Sequence, residues 1–292
     1  MRRFVASACL GGLAAALCVV TICPRRPDTA HALVRPPAAG ERFVQVVAHA
    51  DDDLLFMSPD LFGAVAGGAP TTTVYLTAGE SAAGIDDRRD ALEYARQREE
   101  GVRAAYAYLA RKPNRWRRQL LELPGLRAWW DVLLGRPEVG LVFVGLPDGG
   151  DPRAEGGRDA LHRLWTDDAC VRPVTGGPCV GRRKLVVALR GLLTRLRPTV
   201  LRTLDAGAVG PHQDHRDHVS SAKLAIAAAR GLDVRVRSYR GYSMTRLPAN
   251  LDPRLAEVKR QVFEVYRKHD YRAVPGWRSR AWTERMYHVQ AR

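Results

Sequence analysis

The sequence predicts an α/β fold in which a parallel β-sheet is flanked by helices, with the active site at the carboxyl ends of the strands and inserted loops as a lid. Two observations lead to this prediction. Apolar runs of strand length alternate along the chain with amphipathic stretches of helical length. Polar clusters directly follow the first four predicted strands, and ligands bind at that edge of such sheets.

Five strands and five main helices are predicted, and their alternation is typical of a Rossmann-like sheet. The predicted strands are 42–48, 71–77, 141–146, 199–204 and 234–239. The first contains a near-continuous apolar run, as expected of a strand that is buried on both faces. The helices are 52 to about 67, 87 to about 110, 183–196, 215–230 and 256–269.

Two segments interrupt the alternation. Residues 113–137 are rich in Trp, Arg and Leu, and residues 155–181 contain two cysteines and Trp165. Both are predicted to be insertions or lids over the strand ends.

The first 32 residues are predicted to be a targeting segment. Arg2 and Arg3 precede the uncharged stretch 4–23, and Ala30-His31-Ala32 fits a small-x-small cleavage site. A cleaved export signal is the main prediction, and a retained anchor is the alternative because such a stretch is long enough to span a bilayer. Residues 33–292 are predicted to form a single domain that is secreted or otherwise extracytoplasmic, or anchored facing outward. Membrane contact is expected only through an uncleaved N-terminal segment.

Cysteine usage agrees with export. Outside the targeting segment the chain has only Cys170 and Cys179, which flank a Pro/Gly-rich stretch. An even pair of this kind in an exported protein predicts a disulfide, with two unlinked thiols as the alternative.

The chain is strongly basic, with a formal net charge of +15. The targeting segment contributes four Arg and one Asp, or +3, so the remainder carries +12. The arginines are scattered, and the sequence has no zinc-finger spacing or aromatic-glycine strand motif, so no nucleic-acid partner is predicted. A non-enzymatic basic module that binds anionic cell-surface polymer is nevertheless a second hypothesis.

The sequence His49-Ala50-Asp51-Asp52-Asp53 follows the first predicted strand. Three adjacent carboxylates repel one another, and a divalent cation would stabilise them. His49 and Asp52 can converge at a strand-to-helix turn, and imidazole nitrogen and carboxylate oxygen are both good zinc ligands. Asp51 would point toward the water at such a metal, and Asp53 could cap the helix or accept from backbone amides. The alternative is an acidic helix N-terminus with His49 incidental.

A second cluster, GPHQDHRDH from Gly210 to His218, follows the fourth predicted strand. It contains three of the eight histidines of the chain, His212, His215 and His218. Any one of them can complete a His-Asp-His set with an open fourth position, the usual arrangement of a catalytic zinc. The two clusters together predict a catalytic metal site.

These motifs resemble those of the PIG-L/LmbE-like zinc-dependent N-acetylglucosamine deacetylases. AHADDDLLF resembles the family's AHPDDE signature, and GPHQDHRDHV resembles its His-Pro-Asp-His motif. The segments VYLTAGE, ARQREEGVRAAYAYLA and LVFVGLPDGG are also similar to the family, so the resemblance spans about 42–239. Asp53 stands where the family usually has Glu, which shortens that side chain by one methylene.

The resemblance implies one Zn²⁺ per chain and a role for each motif residue. The implied metal ligands are His49, Asp52 and His215. The implied catalytic residues are Asp51 as general base, His212 as the group that stabilises the oxyanion and protonates the leaving amine, and Asp214, which orients His212. His218 is either a partner of a metal ligand or a helix-surface histidine.

Three further residues are weaker candidates for substrate binding. Arg98 and Asp148 match family positions that hold sugar hydroxyls, although Arg98 lies in an arginine-rich helix and Asp148 is in a turn sequence. Trp165 can stack on a ligand or belong to the core. Asp205 can orient a ligand histidine or cap its own loop.

The resemblance implies an N-acetylated amino-sugar substrate and release of acetate. The HADDD variant and the Trp-rich insertions resemble the exported deacetylases of lipoglycopeptide-antibiotic biosynthesis, so a glycopeptide-antibiotic pseudoaglycone is one expected substrate. A cell-wall polysaccharide or a small extracytoplasmic glycoconjugate is the alternative. A phosphoesterase would normally need two metals, whereas the motifs supply ligands for one.

Overall fold

The structure is a computed structural model, and it describes residues 37–148, 160–208, 214–273 and 277–289, apart from the side chains of 277–279. The predicted targeting segment 1–32 and His212 lie outside these ranges. Within them, no helix is both long and apolar enough to cross a membrane.

A seven-stranded mixed sheet forms the centre of the molecule, in the order β3-β4-β5-β2-β1-β6-β7. The five predicted strands are confirmed, and all their pairings with one another are parallel. The strands are β1 Phe43–Val47, β2 Thr71–Thr77, β3 Trp116–Leu123, β4 Leu126–Leu133, β5 Val139–Leu146, β6 Val200–Leu204 and β7 Arg235–Tyr239.

The order of the parallel strands fixes where a ligand can bind. From β1 the chain adds β2 and β5 on one side, and then adds β6 and β7 on the other. The direction of winding therefore reverses between β1 and β6, and a crevice opens at the carboxyl ends of strands at such a switch point. The two sequence clusters that predict a metal site follow these two strands.

Eight α-helices occur in the described parts of the chain. They are α1 Asp52–Phe56, α2 Asp60–Ala66, α3 Ala91–Leu109, α4 Ala160–Thr166, α5 Arg182–Leu196, α6 Arg216–Ala229, α7 Pro253–Arg267 and α8 Trp277–Thr283. A 3₁₀ turn, Tyr242–Arg246, follows β7.

Successive strand residues enter different cores because side chains alternate across a sheet. Val47 packs on one face with residues of α1, α3 and α7, whereas Val46 packs on the other face with residues of α4, α5 and α6. Helices cover both faces, which is why β1 and β2 are buried along their whole length.

Two predicted features differ in the structure. The segment 113–137 is an insertion, but it extends the sheet sideways as an antiparallel hairpin of β3 and β4 rather than covering the strand ends. The predicted helix 52–67 is two helices, since Pro59 has no N–H to continue α1. The predicted pairing of Cys170 with Cys179 is present.

A candidate metal and catalytic site at the strand ends

The side chains at the switch point come from the ends of three strands in the parallel part of the sheet. His49 follows β1, Asp148 follows β5, and Asp214 and His218 lie between β6 and the first turn of α6. His49 and His218 are 7% and 0% exposed. The predicted convergence of the two sequence clusters is therefore present in the structure.

Three ligand-type atoms face one another at the centre of the site. His49 Nδ1 lies 3.1 Å from His218 Nε2. Asp52 Oδ1 lies 3.0 Å from His218 Nε2 and 3.5 Å from His49 Nδ1. We call these three atoms the inner triangle.

The outer nitrogen of each imidazole contacts a carboxylate. His49 Nε2 donates to Asp148 Oδ1 at 2.9 Å, and His218 Nδ1 donates to Asp214 Oδ1 at 2.7 Å. In a neutral imidazole, a proton on the outer nitrogen leaves the inner nitrogen with a free lone pair. Asp52 is fixed by the backbone, because its Oδ2 accepts from the N–H groups of Ala48 and His49 at 3.1 and 2.8 Å.

The inner triangle has the dimensions of a metal site. Ligands bonded to tetrahedral zinc at about 2.0–2.1 Å are separated by about 3.3 Å. The three separations of 3.0, 3.1 and 3.5 Å bracket that value. His49, Asp52 and His218 therefore fit a cation, and they leave room for a fourth ligand.

The predicted ligand His215 lies beside this triangle. Its ring centroid is 4.9 Å from that of His49 and 5.4 Å from that of His218. One nitrogen from each of His49, His215 and His218 also lies within 4.8 Å of the other two. A second set with the same spacing consists of a His49 nitrogen and one carboxylate oxygen each from Asp148 and Asp217. His215 Nδ1 accepts from the Asp217 backbone N–H at 3.2 Å and caps α6.

Without a cation, the charges around the inner triangle favour the protonated forms of its two imidazoles. Burial lowers the pKa of His218, but the carboxylates of Asp52 and Asp214 raise it to about 9. Burial also lowers the pKa of His49. The carboxylates of Asp148 and Asp52 outweigh this effect and raise that pKa well above its ordinary value. Burial would raise the pKa of Asp52, yet the two imidazoles hold it well below normal. A bound cation would displace these protons, because metal ligands must be deprotonated.

Asp51, the predicted general base, is held by Arg98. Arg98 Nη2 donates to Asp51 Oδ1 at 2.9 Å, and Nη1 donates to the Gly79 carbonyl at 2.8 Å. Burial raises the pKa of Asp51, whereas the charge of Arg98 lowers it. The described contacts of the Arg98 guanidinium are with protein atoms, and the contact with sugar hydroxyls that its family position suggests stays a prediction.

Asp53 completes the acidic run in an apolar environment. Its Oδ2 accepts from the hydroxyl groups of Tyr75, at 2.9 Å, and Tyr106. Its Oδ1 accepts from the Leu54 N–H at 3.0 Å, one of the backbone contacts expected from the sequence. Burial raises the pKa of Asp53 to about 7. The three adjacent carboxylates are thus separated into imidazole, guanidinium and phenol environments.

Asp148 is tied to the loop after β2 as well as to His49. Its Oδ2 accepts from the Ser81 N–H at 3.1 Å, and its backbone N–H donates to Glu80 Oε1 at 2.9 Å. Burial and the charge of Asp148 raise the pKa of Glu80 to about 7. Asp148, predicted as a substrate contact, therefore has a structural partner in His49.

Asp214 was predicted to orient His212, and its described partner is His218. Its Oδ1 also accepts from the N–H groups of His215 and Tyr242, at 2.9 and 3.2 Å. Gly241 permits this approach, because a Cβ there would lie within 2.7 Å of the Asp214 carboxylate carbon.

The sequence analysis did not predict the aromatic side chains that line the site. The ring of Tyr242 lies 4.9 Å from that of His218 and stacks on Trp282 at 5.7 Å, and Phe56 lies 5.6 Å from His218. Gly241 and Tyr242 follow β7, so the strand-end rule that found the other clusters could have included them.

The two remaining candidates lie away from this centre. Trp165 packs against the core formed with α5 and α6, and the guanidinium of Arg182 lies 5.7 Å from its ring centroid. Trp165 is partly buried against this core, and its stacking on a ligand stays a prediction. Asp205 Oδ1 accepts from the Gly207 N–H at 2.9 Å, so it caps its own loop.

Comparisons with known proteins agree with this architecture. The sequence profile of the PIG-L family, described as GlcNAc-PI de-N-acetylase, matches residues 44–229. A 1D-myo-inositol 2-acetamido-2-deoxy-alpha-D-glucopyranoside deacetylase from Nakamurella multipartita is 30% identical over 188 residues. That alignment covers 64% of this chain and 54% of the relative, so the chain matches about half of the relative's length.

Two solved structures share the fold. The zinc-inhibited form of teicoplanin deacetylase Orf2 is similar with a TM-score of 0.51 and 16% identity, covering 83% of this chain and 90% of that one. A deacetylase triple mutant from the teicoplanin biosynthetic pathway gives a TM-score of 0.50 and 16% identity, covering 83% and 88%. The family profile spans both sequence clusters and more than half of the chain. The chain therefore belongs to the PIG-L family.

Proposed function

We propose that the chain is a metal-dependent amide hydrolase that removes acetate from an N-acetylglucosaminyl group. The inner triangle carries this proposal. It presents two imidazole nitrogens and a carboxylate oxygen at the separations of zinc ligands, and carboxylates hold the outer nitrogen of each imidazole. Family membership supports the amide bond of an acetylated amino sugar as the target.

The cation would be one Zn²⁺ per chain, held by His49, Asp52 and one imidazole of the second cluster. When bound, it would supply Lewis-acid activation of water and of the amide carbonyl. Iron in place of zinc is compatible with the same nitrogen and oxygen ligands.

Which imidazole completes the set depends on a repeated pattern. The second cluster contains His-x-Asp-His twice, as His212-Gln-Asp214-His215 and as His215-Arg-Asp217-His218. The first copy assigns the metal to His215, as the sequence resemblance implies. The contact of 3.0 Å between His218 Nε2 and Asp52 Oδ1 supports the second copy, with His218 as the ligand.

The remaining groups would move protons. Asp51 is the base that accepts a proton from the attacking water. The leaving amine needs a proton, and this role belongs to His212 in the first copy of the pattern and to His215 in the second. Burial and the charges of His49 and His218 lower the pKa of His215 to about 4.

We also propose an extracytoplasmic glycoconjugate as the substrate, with a glycopeptide-antibiotic pseudoaglycone as one possible example. The predicted export segment and the bond between Cys170 and Cys179 support a secreted protein, or one anchored facing outward. The names of the fold neighbours, which are teicoplanin deacetylases, suggest this substrate class for the test panel.

Acetate release from a panel of N-acetylglucosaminides tests the proposal. The wild type should bind about one zinc per chain and release acetate, and a chelator should abolish the release. Asp51→Asn should keep the metal and lose most turnover. Asp167→Asn is a matched control, because that aspartate is exposed directly after the end of α4.

A different result would point to another function. A wild-type protein that releases no acetate from any member of the panel, with or without zinc, would contradict the hydrolase. Binding of anionic polymer that persists after chelation would then favour the basic binding module. Equal turnover by the wild type and Asp51→Asn would remove Asp51 from the mechanism.

A further inference from the structure

Arg98 is the most enclosed of the three arginines on α3. It is 7% exposed, whereas the side chain of Arg96, two residues away on α3, is 62% exposed. Enclosing a guanidinium is costly unless each of its polar groups finds a partner. The partners of Arg98 therefore indicate what the buried charge is for.

The guanidinium is fixed from three sides. Arg98 Nε donates to the Tyr266 hydroxyl at 2.8 Å and lies 3.1 Å from Asp270 Oδ2. Tyr266 in turn donates to Asp270 Oδ2 at 2.6 Å, and Tyr94 donates to Asp270 Oδ1 at 2.6 Å. This arrangement orders the Asp270 carboxylate, which balances part of the Arg98 charge from the side opposite to Asp51.

The loop after β2 sets the remaining orientation. Gly79 has φ of +70° and accepts from Arg98 Nη1 through its carbonyl oxygen at 2.8 Å. A Cβ at Gly79 would lie 2.6 Å from Nη1, so any larger residue would displace the guanidinium. Gly79 therefore provides both the acceptor and the space for Arg98.

Because Nε and Nη1 of Arg98 already have partners, Nη2 is the nitrogen that donates to Asp51. Its bond to Asp51 Oδ1 is 2.9 Å long, and in the described parts of the chain no other side chain or backbone N–H donates to that carboxylate. One oxygen of Asp51 is thus fixed, and the second is left for the reaction. The Asp51 side chain is 22% exposed, as a group that meets a substrate must be.

We propose that Arg98 is a positioning residue that holds the Asp51 carboxylate in its working orientation, and that Gly79, Tyr266 and Asp270 hold Arg98. This inference rests on the proposed deacetylase function and deepens it, because it assigns Arg98 to the base rather than to the sugar. A base displaced by about 1 Å can lose on the order of 10²-fold in rate without losing substrate affinity.

The kinetic test compares Arg98→Met with Arg96→Met, the same change at the exposed position of the same helix. Arg98→Met should lower kcat by on the order of 10²-fold and change KM by less than about 3-fold. Arg98→Lys, which keeps the charge but not the forked geometry, should recover only part of the loss. Arg96→Met should match the wild type, and zinc content should be the same in all four proteins.

Combination with Asp51→Asn separates positioning from sugar binding. If Arg98 acts through Asp51, adding Arg98→Met to Asp51→Asn should lower the rate by less than about 3-fold further, because the effects of a coupled pair do not add. A sugar contact predicts the opposite, a raised KM for Arg98→Met and losses that multiply. That outcome would overturn the proposal.

A thermal-unfolding cycle gives a readout that needs no turnover. The Tm shift of the Arg98→Met/Asp51→Asn double variant should differ from the sum of the single shifts by about 2 °C or more. Additive shifts would show that the two groups are not coupled and would overturn the proposal even if acetate release were absent. Coupled shifts with a wild type that releases no acetate would contradict the proposed function alone.

Discussion

Asp52 and Asp131 are two carboxylates with the same burial and different partners. Each is 1% exposed. Asp131, on β4, accepts from Arg118 Nε and Nη2 at 2.8 and 2.9 Å and from Arg103 Nη1 at 2.8 Å. Asp52, at the start of α1, faces the imidazoles of His49 and His218.

The partners decide what each carboxylate can do. Guanidinium groups keep their protons at any physiological pH, so Asp131 lies in a closed ion pair that fastens β3 and β4 to α3. An imidazole can give up its proton to bind a metal, whereas a guanidinium cannot, so the same burial at Asp52 creates a site that can exchange protons for a cation. A buried carboxylate alone therefore does not mark a functional site, whereas one that faces imidazoles with carboxylates behind them does.

Replacing Asp52 should have the largest effect. Asp52→Asn removes the one anionic ligand of the inner triangle while keeping its volume, so zinc content should fall from about one per chain to near zero. Acetate release should fall on the order of 10³-fold or more. Zinc analysis of purified protein and an acetate assay measure both, and Asp131→Asn is the buried control. Loss of zinc from both variants would remove the distinction between the two aspartates.

The next largest effect should separate His218 from His215. His218→Gln removes the nitrogen that faces Asp52 Oδ1 at 3.0 Å, so zinc content and turnover should fall together. His215→Gln should retain zinc and lose about 10²–10⁴-fold in turnover, the usual contribution of a proton-transferring side chain. Zinc lost with His215 and retained with His218 would favour the first copy of the His-x-Asp-His pattern.

Asp131→Asn should act on stability and leave zinc content and kcat unchanged. The substitution removes the negative charge that two guanidinium groups share. The side chain of Arg118 is 37% exposed and that of Arg103 is 15% exposed. Solvent around Arg118 reduces the loss, so the free energy of unfolding should fall by about 1–3 kcal/mol. Urea denaturation measures it. An unchanged midpoint would show that the ion pair contributes nothing to folding.

Asp53 is a third buried carboxylate, and its partners are phenol groups. Its contribution to the free energy of unfolding should depend on pH. Its pKa is raised to about 7 in the folded chain, so the folded state holds the proton more tightly than the unfolded chain does. The stability gained from this tighter proton binding is fully present below about pH 4 and is lost as pH rises to about 7. Between pH 5 and pH 8, zinc-free wild type should therefore lose about 1 kcal/mol or more relative to Asp53→Asn. Parallel stability curves for the two proteins would contradict the raised pKa.

The sequence was sufficient to predict the parallel part of the sheet, because polar clusters follow β1, β2, β5 and β6, and β7 continues the alternation of strands and helices. The hairpin of β3 and β4 was not predicted. Its strands lie at the sheet edge and mix Arg and Trp, so they lack the buried-strand pattern. The Pro124-Gly125 connection between Leu123 and Leu126 was the available signal, since Gly125 adopts φ of +73°.

The site was predicted in outline and not in detail. The two clusters predict a metal site, but the overlapping copies of His-x-Asp-His in 212–218 give two solutions for its ligands. The start of α6 supports the second solution, because His215 is its N-cap and His218 lies on its first turn. Burial of Arg98 could not be predicted either, since it depends on Tyr266 and Asp270, which lie far away in sequence.

The most direct test is a crystal structure of the zinc-loaded protein with anomalous diffraction at the zinc edge. We expect one strong peak within about 2.1 Å of His49 Nδ1, His218 Nε2 and a carboxylate oxygen of Asp52. A peak bound by His215 without His218, or a zinc held only by Asp148 and Asp217, would contradict the metal site described for this chain.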